Sequence, residues 1–460
     1  MTMFRHLLTR QLAEDITSFR FQVYAVLILA SLVAFAIIFS GQHHGRLEDF
    51  SRSAIENSQH LRSSASSLVN LIWTKQTILM EPQGVRFISD GHEGQMPQGL
   101  AVTMLGTRMV PEPADSGTAM LSSPDLTSVV QIVFSFFALV LTFNAVSYEK
   151  EKGTLRLLLS NSVLRTKFLL AKYLGAVMTV GIPFVIGLIL CLVLISLRDI
   201  PIFSGGVMTV VLLFVMISLL YLSFFILLGL FCSTAGRGSK GSLVLCLLCW
   251  VLVVVILPKS AGPLLHLRTF SVPTGETIAE EARLAGREVW NRHKGESIIA
   301  GSPEADSTKL NVKVMNEATQ AEEGVYDHYL DKKIRAVKTL MAANCVSPAS
   351  LFEYATSAAA GTGLAHFARF RSQVVQYQND LIRFFKAQDM QDKESPHLYF
   401  HPDYVSKKSF DSSAIPEFRE RGPRLLERAK DAAAYGAGLI LYNAIMFGIV
   451  FIRFQTYDVR

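Results

Sequence analysis

The chain has 460 residues, half of them apolar and only 18% charged, with a formal net charge of +6 and a positive mean hydropathy. That is too greasy for a soluble globular protein of this length and points to a membrane protein. Basic residues gather at the ends of apolar runs rather than in one aromatic-interleaved patch, which argues against nucleic acid as a partner. Cys191, Cys232, Cys246 and Cys249 lie in or beside apolar runs and Cys345 stands apart, so no disulfide framework is expected.

Residues 1–20 carry Phe4, Leu7, Leu8 and Leu12 as one stripe, then Glu14 and Asp15, which predicts an amphipathic helix on the membrane surface. Phe21 to Ser40 is the first of six runs long enough to cross a ~30 Å hydrocarbon core, which takes about 20 helical residues. No small-residue cleavage site follows it, so it reads as a retained anchor. The others are Ser128 to Val146, Leu174 to Leu197, Val207 to Cys232, Leu243 to Pro258 and Gly436 to Phe454. Gln131, Asn144 and Asn443 interrupt two of these and are expected to face neighbouring helices. The Cys246-Leu-Leu-Cys249 spacing falls inside the fifth run and predicts packing or lipid contact rather than a metal site.

Arg5, Arg10 and Arg20 precede the first span, and Lys150, Lys152, Arg156, Arg165, Lys167 and Lys172 fill the second loop. Arg237 and Lys240 mark the fourth loop, and Arg453 and Arg460 end the chain. Positive charge favours the cytoplasmic side, so both termini and the loop 147–173 are expected there. Two large pieces, Gly41 to Thr127 and Lys259 to Tyr435, then lie outside.

In the loop, Leu155, Leu158 and Leu159 make an apolar stripe behind the acidic start Glu149 and Glu151, and Ser160-Asn161-Ser162 breaks the helix before a basic one begins at Arg165. Periodicity alone suits a helix lying among lipid headgroups, with membrane lipid as its partner. The residues say more. Glu149-x-Glu151-x-Gly153-Thr154-Leu155, then Leu158-Leu159, Arg165 and Lys172-Tyr173-Leu174-Gly175, resembles the loop between spans two and three of ABC-2 type permeases, the membrane subunits of ATP-driven exporters. The family's elbow proline is Ser162 here, and the residue before Lys172 is Ala171 rather than glycine. The resemblance implies that this loop is the coupling helix that docks on a nucleotide-binding subunit, with Glu149, Glu151, Gly153, Thr154 and Leu155 as docking residues. It implies further that ATP and Mg bind the partner, that a second copy or a paralogous permease completes the path, and that the setting is a bacterial inner membrane. The segments Glu81 to Pro97, Val346 to Phe370 and Ser395 to Tyr404 are similar to the ABC-2 subfamily with a large extracytoplasmic insert of unknown function.

Within the outer pieces, Ser347 and Pro348 predict a helix start and Gly361-Thr362-Gly363 its end. Phe367, Phe370, Val374, Tyr377, Leu381 and Phe384 define one helical seam, which must pack on a sibling helix from Leu310 to Asn344 or on the same seam of a second subunit, the first being favoured. Ser395 to Pro423 reads as an irregular, proline-rich strap. His397 and His401, like His43 and His44, are read as ordinary histidines rather than metal ligands, and the outer domain could meet a periplasmic partner.

The chain has no G-x-x-x-x-G-K-[ST] loop, nucleophile elbow or H-E-x-x-H, so no cofactor site and no catalytic residue are expected. The reading is an α-helical integral membrane protein of six transmembrane helices with a mainly helical extracytoplasmic domain, the permease subunit of an ABC-2 transporter that couples ATP hydrolysis on a separate subunit to export or to mechanical work outside the membrane. The alternative is a membrane receptor or scaffold with a helical sensing domain.

Overall fold

The computed structural model describes residues 2–64, 67–81, 84–91, 96–97, 99–104, 106–109, 125–160, 164–198, 202–236, 238–260, 273, 275–294, 304–398, 405–408 and 410–457. Among them, six helices are long and apolar enough to cross a membrane. Val26, Ile37, Ile182, Ile186, Leu212, Met216 and Leu252 stay exposed around the bundle, as expected where hydrocarbon is the solvent.

Helix α1 (Thr2–Ile16) packs against the start of the third span, and α2 (Phe19–Ser64) is the first span. The first span was expected to end near Ser40, but its helix continues for about 36 Å at 1.5 Å per residue. Nothing in Arg46-Leu47-Glu48-Asp49 interrupts a helix, and Leu61 anchors the extension in a second core. That core holds α3 (Leu68–Trp73) and an antiparallel sheet of β1 (Gln76–Leu79), β2 (Gly99–Val102) and β3 (Thr107–Met109), in the order β1-β2-β3. Strands of three and four residues carry too little alternation to be read from sequence. The open side of β1 is closed by Asn57 of α2, whose amide donates to Thr77 O at 2.8 Å and accepts from Thr77 N at 3.2 Å.

The second span is α4 (Leu126–Val129), capped by Asp125, a π turn over Val130–Phe134, and α5 (Ser135–Thr142). Helices α6 (Ser147–Glu151) and α7 (Thr154–Ser160) form the loop. The third and fourth spans are α8 (Arg165–Ser196) and α9 (Gly205–Ala235). The fifth is α10 (Ser239–Trp250) followed by a second π turn, Val251–Ile256. The π geometry frees carbonyls for neighbours: Tyr221 donates to Gln131 O at 3.1 Å and Ser347 to Val253 O at 2.8 Å. Span α9 is central and touches the second, third, fifth and sixth spans. Asn443 faces inward as expected, donating to Leu220 O at 3.0 Å and accepting from Ser223 Oγ at 2.8 Å.

Beyond the fifth span come α11 (Gly275–Arg292), α12 (Glu304–Asn344), α13 (Pro348–Ala360), α14 (Leu364–Asp389) and the sixth span α15 (Leu425–Gln455). Residues 259–435 were expected as one mass beyond the spans, and α13 departs from that. It is buried among the spans, with Phe352 stacked on Tyr221 at 4.3 Å near the middle of α9 and Leu351 against Gly438 of α15. Thirteen residues are too few to count as a span, but Ala349, Ala355, Ala359 and Ala360 allow close helix contact. The predicted start and stop hold: Ser347 accepts from Ala349 N, and Gly361 has φ +75°.

On α14 the buried seam runs through Phe367, Phe370, Val374, Tyr377 and Leu381 and ends at Phe385 rather than Phe384, which packs on Phe410. It shares one core with α12 residues Leu330, Val337 and Met341, with α3 and with the sheet, and Arg371 of α14 donates to Asp327 of α12 at 2.9 Å. The described parts of the strap hang on Asp389, which is fully buried and accepts from Ser395 Oγ, Ser406 N and His397 Nδ1, each at 2.7 Å. His397 therefore anchors the strap and lies outside any helix, and His401 lies outside the described residues. His43 is buried with its ring on Phe39, and His44 is exposed. Hydrogen bonds from Lys408 and Ser406 hold the Asp392 carboxyl down to about 2. This second anchor is complete above about pH 4 and is lost as pH falls through about 2.

Replacing Asp389 with asparagine turns one of the two oxygens that together accept three bonds into a donor and should cost about 2 kcal/mol or more. The expected outcome is faster proteolysis between Lys393 and Arg424, with helix content unchanged by circular dichroism.

Candidate functional site

Where the second span ends, the backbone turns through residues 143–146. Val146 N and Ser147 N both donate to Ser233 Oγ of α9, at 2.9 and 3.1 Å. The loop thus begins fastened to the fourth span. Helix α6 is one turn and a half long, and Gly153, with φ +73°, reverses the chain into α7. A side chain there would meet no atom, but the left-handed backbone would strain any residue other than glycine.

The five residues singled out from sequence divide by direction. Glu149 points inward: its carboxylate accepts from Lys172 Nζ of α8 at 3.1 Å and from Thr154 Oγ1. Lys172, buried at 9% exposure, also donates to Gln11 Oε1 of α1 at 2.6 Å, and Gln11 Nε2 donates to both Asp15 oxygens at 2.8 Å. One polar chain therefore joins α1, α6, α7 and the third span. An ammonium taken from water is tolerated there because it is paired with a carboxylate and hydrogen-bonded to an amide. Glu151 turns to the fifth span, accepting from Ser239 N at 2.7 Å and Ser239 Oγ at 2.8 Å. A carboxylate at that helix start also meets the positive end of its dipole. Leu155 is fully buried in the core that the spans share. Leu158 and Leu159 have side chains outside the described residues, as does Ser162 altogether.

Arg165 completes the tie by donating to Phe454 O, Gln455 O and Tyr457 O, carbonyls at the end of the sixth span. Lys150 adds a contact over the Tyr457 ring at 4.9 Å. The loop is in this way bonded to the ends of the third, fourth, fifth and sixth spans. Its other face is open: Tyr148 is 45% and Leu157 66% exposed, and Lys152, Gly153 and Arg156 are exposed beside them. Lys152 Nζ lies over the Tyr148 ring at 4.7 Å, which orders part of that face.

Sequence reasoning missed Gln11, Asp15, Ser233 and Ser239 as parts of this junction. Lys172 carried a signal, a lysine among Leu169, Leu170 and Ala171 on an apolar helix, because such a charge requires a partner. Among the described residues no cluster of metal-ligating side chains occurs. What the loop can do is carry displacement, since a polar and apolar junction with one face fixed to four spans moves with them.

A comparison with curated proteins finds no match. The profile of the family described as ABC-2 family transporter protein, however, matches residues 16–459, which takes in all six spans and the loop at their ends. The chain therefore belongs to the ABC-2 family of transporter proteins, as a multi-pass membrane subunit.

Proposed function

We propose that this subunit is the permease of an ATP-driven exporter and that α6 and α7 form its coupling helix. The observation that carries the reading is the two-sidedness of the loop. Glu149, Glu151 and Leu155 bind it to its own bundle, while Tyr148, Lys152, Gly153, Arg156 and Leu157 stay exposed.

A nucleotide-binding subunit, which carries ATP and Mg, docks on the open face of the loop between Tyr148 and Leu157. Gly153 forms its exposed turn, and Glu149, Glu151, Thr154 and Leu155 set its position. When ATP draws two such subunits together, the loop is pushed, and its bonds to Lys172, Ser233, Ser239 and the end of α15 pass the motion to the spans. A second permease, a copy or a paralogue, completes the path. The loop and both termini then face the cytoplasm of a bacterial inner membrane. The sheet, α11, α12 and α14 stand outside, where they cover the exit or meet a periplasmic partner.

The test is co-purification in detergent with the partner ATPase. Changing the open face (Arg156→Glu with Leu157→Asp) is expected to abolish association with the spans still inserted. Glu149→Gln is expected to keep association and lower permease-stimulated ATPase activity by about tenfold, since it weakens a charge-assisted contact worth about 1.5–3 kcal/mol. Association that ignores the open face would return the loop to the lipid surface and favour a receptor or scaffold.

A further inference from the structure

At the end of the bundle opposite the loop, the turn between α12 and α13 lies below the ends of the spans beside it. Tyr442 Oη of α15 donates to Val346 O at 2.6 Å, and Ser347 Oγ donates to Val253 O of the fifth span at 2.8 Å. Tyr442 is six residues past Gly436, where the apolar run of the sixth span begins, which puts the turn about 9 Å below that end. Val253 is seven residues before the fifth span ends at Ser260, which gives about 10 Å independently. Helix α13 then climbs back along α15, with Leu351 against Gly438 and Ala360 O accepting from Arg428 Nη1 at 3.1 Å.

Helix α12 reaches this turn at Asn344. A helix rises at most about 1.5 Å per residue whatever its tilt, so Lys338 stands no more than about 9 Å above Asn344, Arg335 about 14 Å and Lys332 about 18 Å. Lys338 is therefore at the edge of the hydrocarbon. Arg335 and Lys332 stand at most about 5 and 9 Å beyond it, against a headgroup layer of about 5–8 Å. Arg335 and Lys338 are exposed, and Lys332 is half-buried with its Nζ over the Tyr329 ring at 5.7 Å. Among the described residues none of the three meets a carboxylate at ion-pair distance, and the nearby acids Asp327 and Asp331 both accept from Arg371 of α14.

Below these cations the exposed side chains turn apolar: Ala342, Ala343 and Val346, the last 64% exposed. Leu441 and Ile445, which flank Tyr442 on α15, are 60% and 52% exposed and continue that surface down the sixth span. Cations above an apolar strip, at the depth of a membrane surface, form an edge that suits lipid. Basic residues ordinarily gather at the loop end of such a bundle, so three unpaired cations at this end mark an anion-binding edge.

We propose that this edge binds an anionic phospholipid, with Lys332, Arg335 and Lys338 on the headgroup phosphate and Val346, Leu441 and Ile445 along the acyl chains. The site requires only that the six spans cross a bilayer; that the leaflet is the outer one rests on the permease reading.

The experiment uses the full chain alone in nanodiscs, so that failure of ATPase docking leaves the readout untouched. The reporter is a tryptophan introduced by Val346→Trp and read by difference against the protein that keeps Val346. The probes are phosphatidylglycerol and phosphatidylcholine, each brominated on the acyl chain to quench fluorescence. Both are expected to quench, with the anionic lipid favoured about fivefold or more at equal mole fraction and less so in high salt. Lys332→Gln with Arg335→Gln and Lys338→Gln should erase the preference and leave quenching by phosphatidylcholine intact. Lys332→Arg with Arg335→Lys and Lys338→Arg should retain the preference. Absence of quenching by either lipid would place the turn outside the bilayer and overturn the assignment. So would equal quenching by the two lipids, or a preference that survives in a neutralised protein eluting as the native one. Loss of the preference on adding inorganic phosphate at constant ionic strength would overturn it too, since the edge would then take free phosphate.

Discussion

Leu155→Asp is expected to abolish coupled transport while leaving all six spans inserted. Leu155 is fully buried, at the point where the loop enters the core of the bundle. The substitution forfeits about 2–3 kcal/mol of apolar burial and asks the same site to take a carboxylate with no partner. The loop relieves this by lifting off, which breaks the Glu149–Lys172 contact at 3.1 Å and leaves a buried ammonium without its counter-charge. Insertion is decided by the hydropathy of the spans, which this residue does not enter. The measurement is accessibility of a cysteine placed at Thr154, together with permease-stimulated ATPase activity. Leu155→Met, a volume-conserving change, should cost less than about 1.5 kcal/mol and keep both near native. Native activity in Leu155→Asp would refute the role of the buried face.

Gly229→Leu is expected to be the most damaging single change within the spans. A Cβ at Gly229 would lie 1.9 Å from Thr142 Oγ1 and 2.9 Å from Thr142 Cβ, distances no side chain tolerates. Thr142 has little freedom to yield, since it is β-branched and its hydroxyl donates to Ala138 O at 2.7 Å. The second and fourth spans must part, and overpacking of this kind costs about 1–3 kcal/mol or more. Unfolding of such proteins is commonly irreversible, so the quantity to measure is the half-life of the detergent-solubilised chain at fixed temperature. A several-fold shorter half-life is expected, with Gly229→Ala intermediate and Gly229→Ala with Thr142→Gly partly restored. A native half-life for Gly229→Leu would show that the two spans do not approach as described.

Both changes act on contacts between residues far apart in the chain, and this separates what was legible from what was not. The six spans could be read because hydropathy and length act within one window of about 20 residues. The start and end of α13 could be read for the same reason: Ser347, Pro348 and Gly361 act on their own backbone. The seam of α14 followed from helical spacing, and it slipped by one residue only at Phe385, where the strap decides which ring is covered.

The loop motif was legible as a pattern, but the direction of its side chains was not. Glu149 turns inward because Lys172 and Gln11 reach it from two other helices, and Glu151 because Ser239 opens the fifth span beside it. The short sheet and the burial of α13 likewise depend on partners brought together by packing. The sequence by itself determined how often the chain crosses, where several helices begin and end, and which loop carries the family's motif, all consequences of local hydrophobicity and backbone preference. Only the tertiary structure decided which charges are paired, which short helix enters the bundle and which face of the loop stays open, because burial and electrostatic pairing belong to the partners that folding supplies.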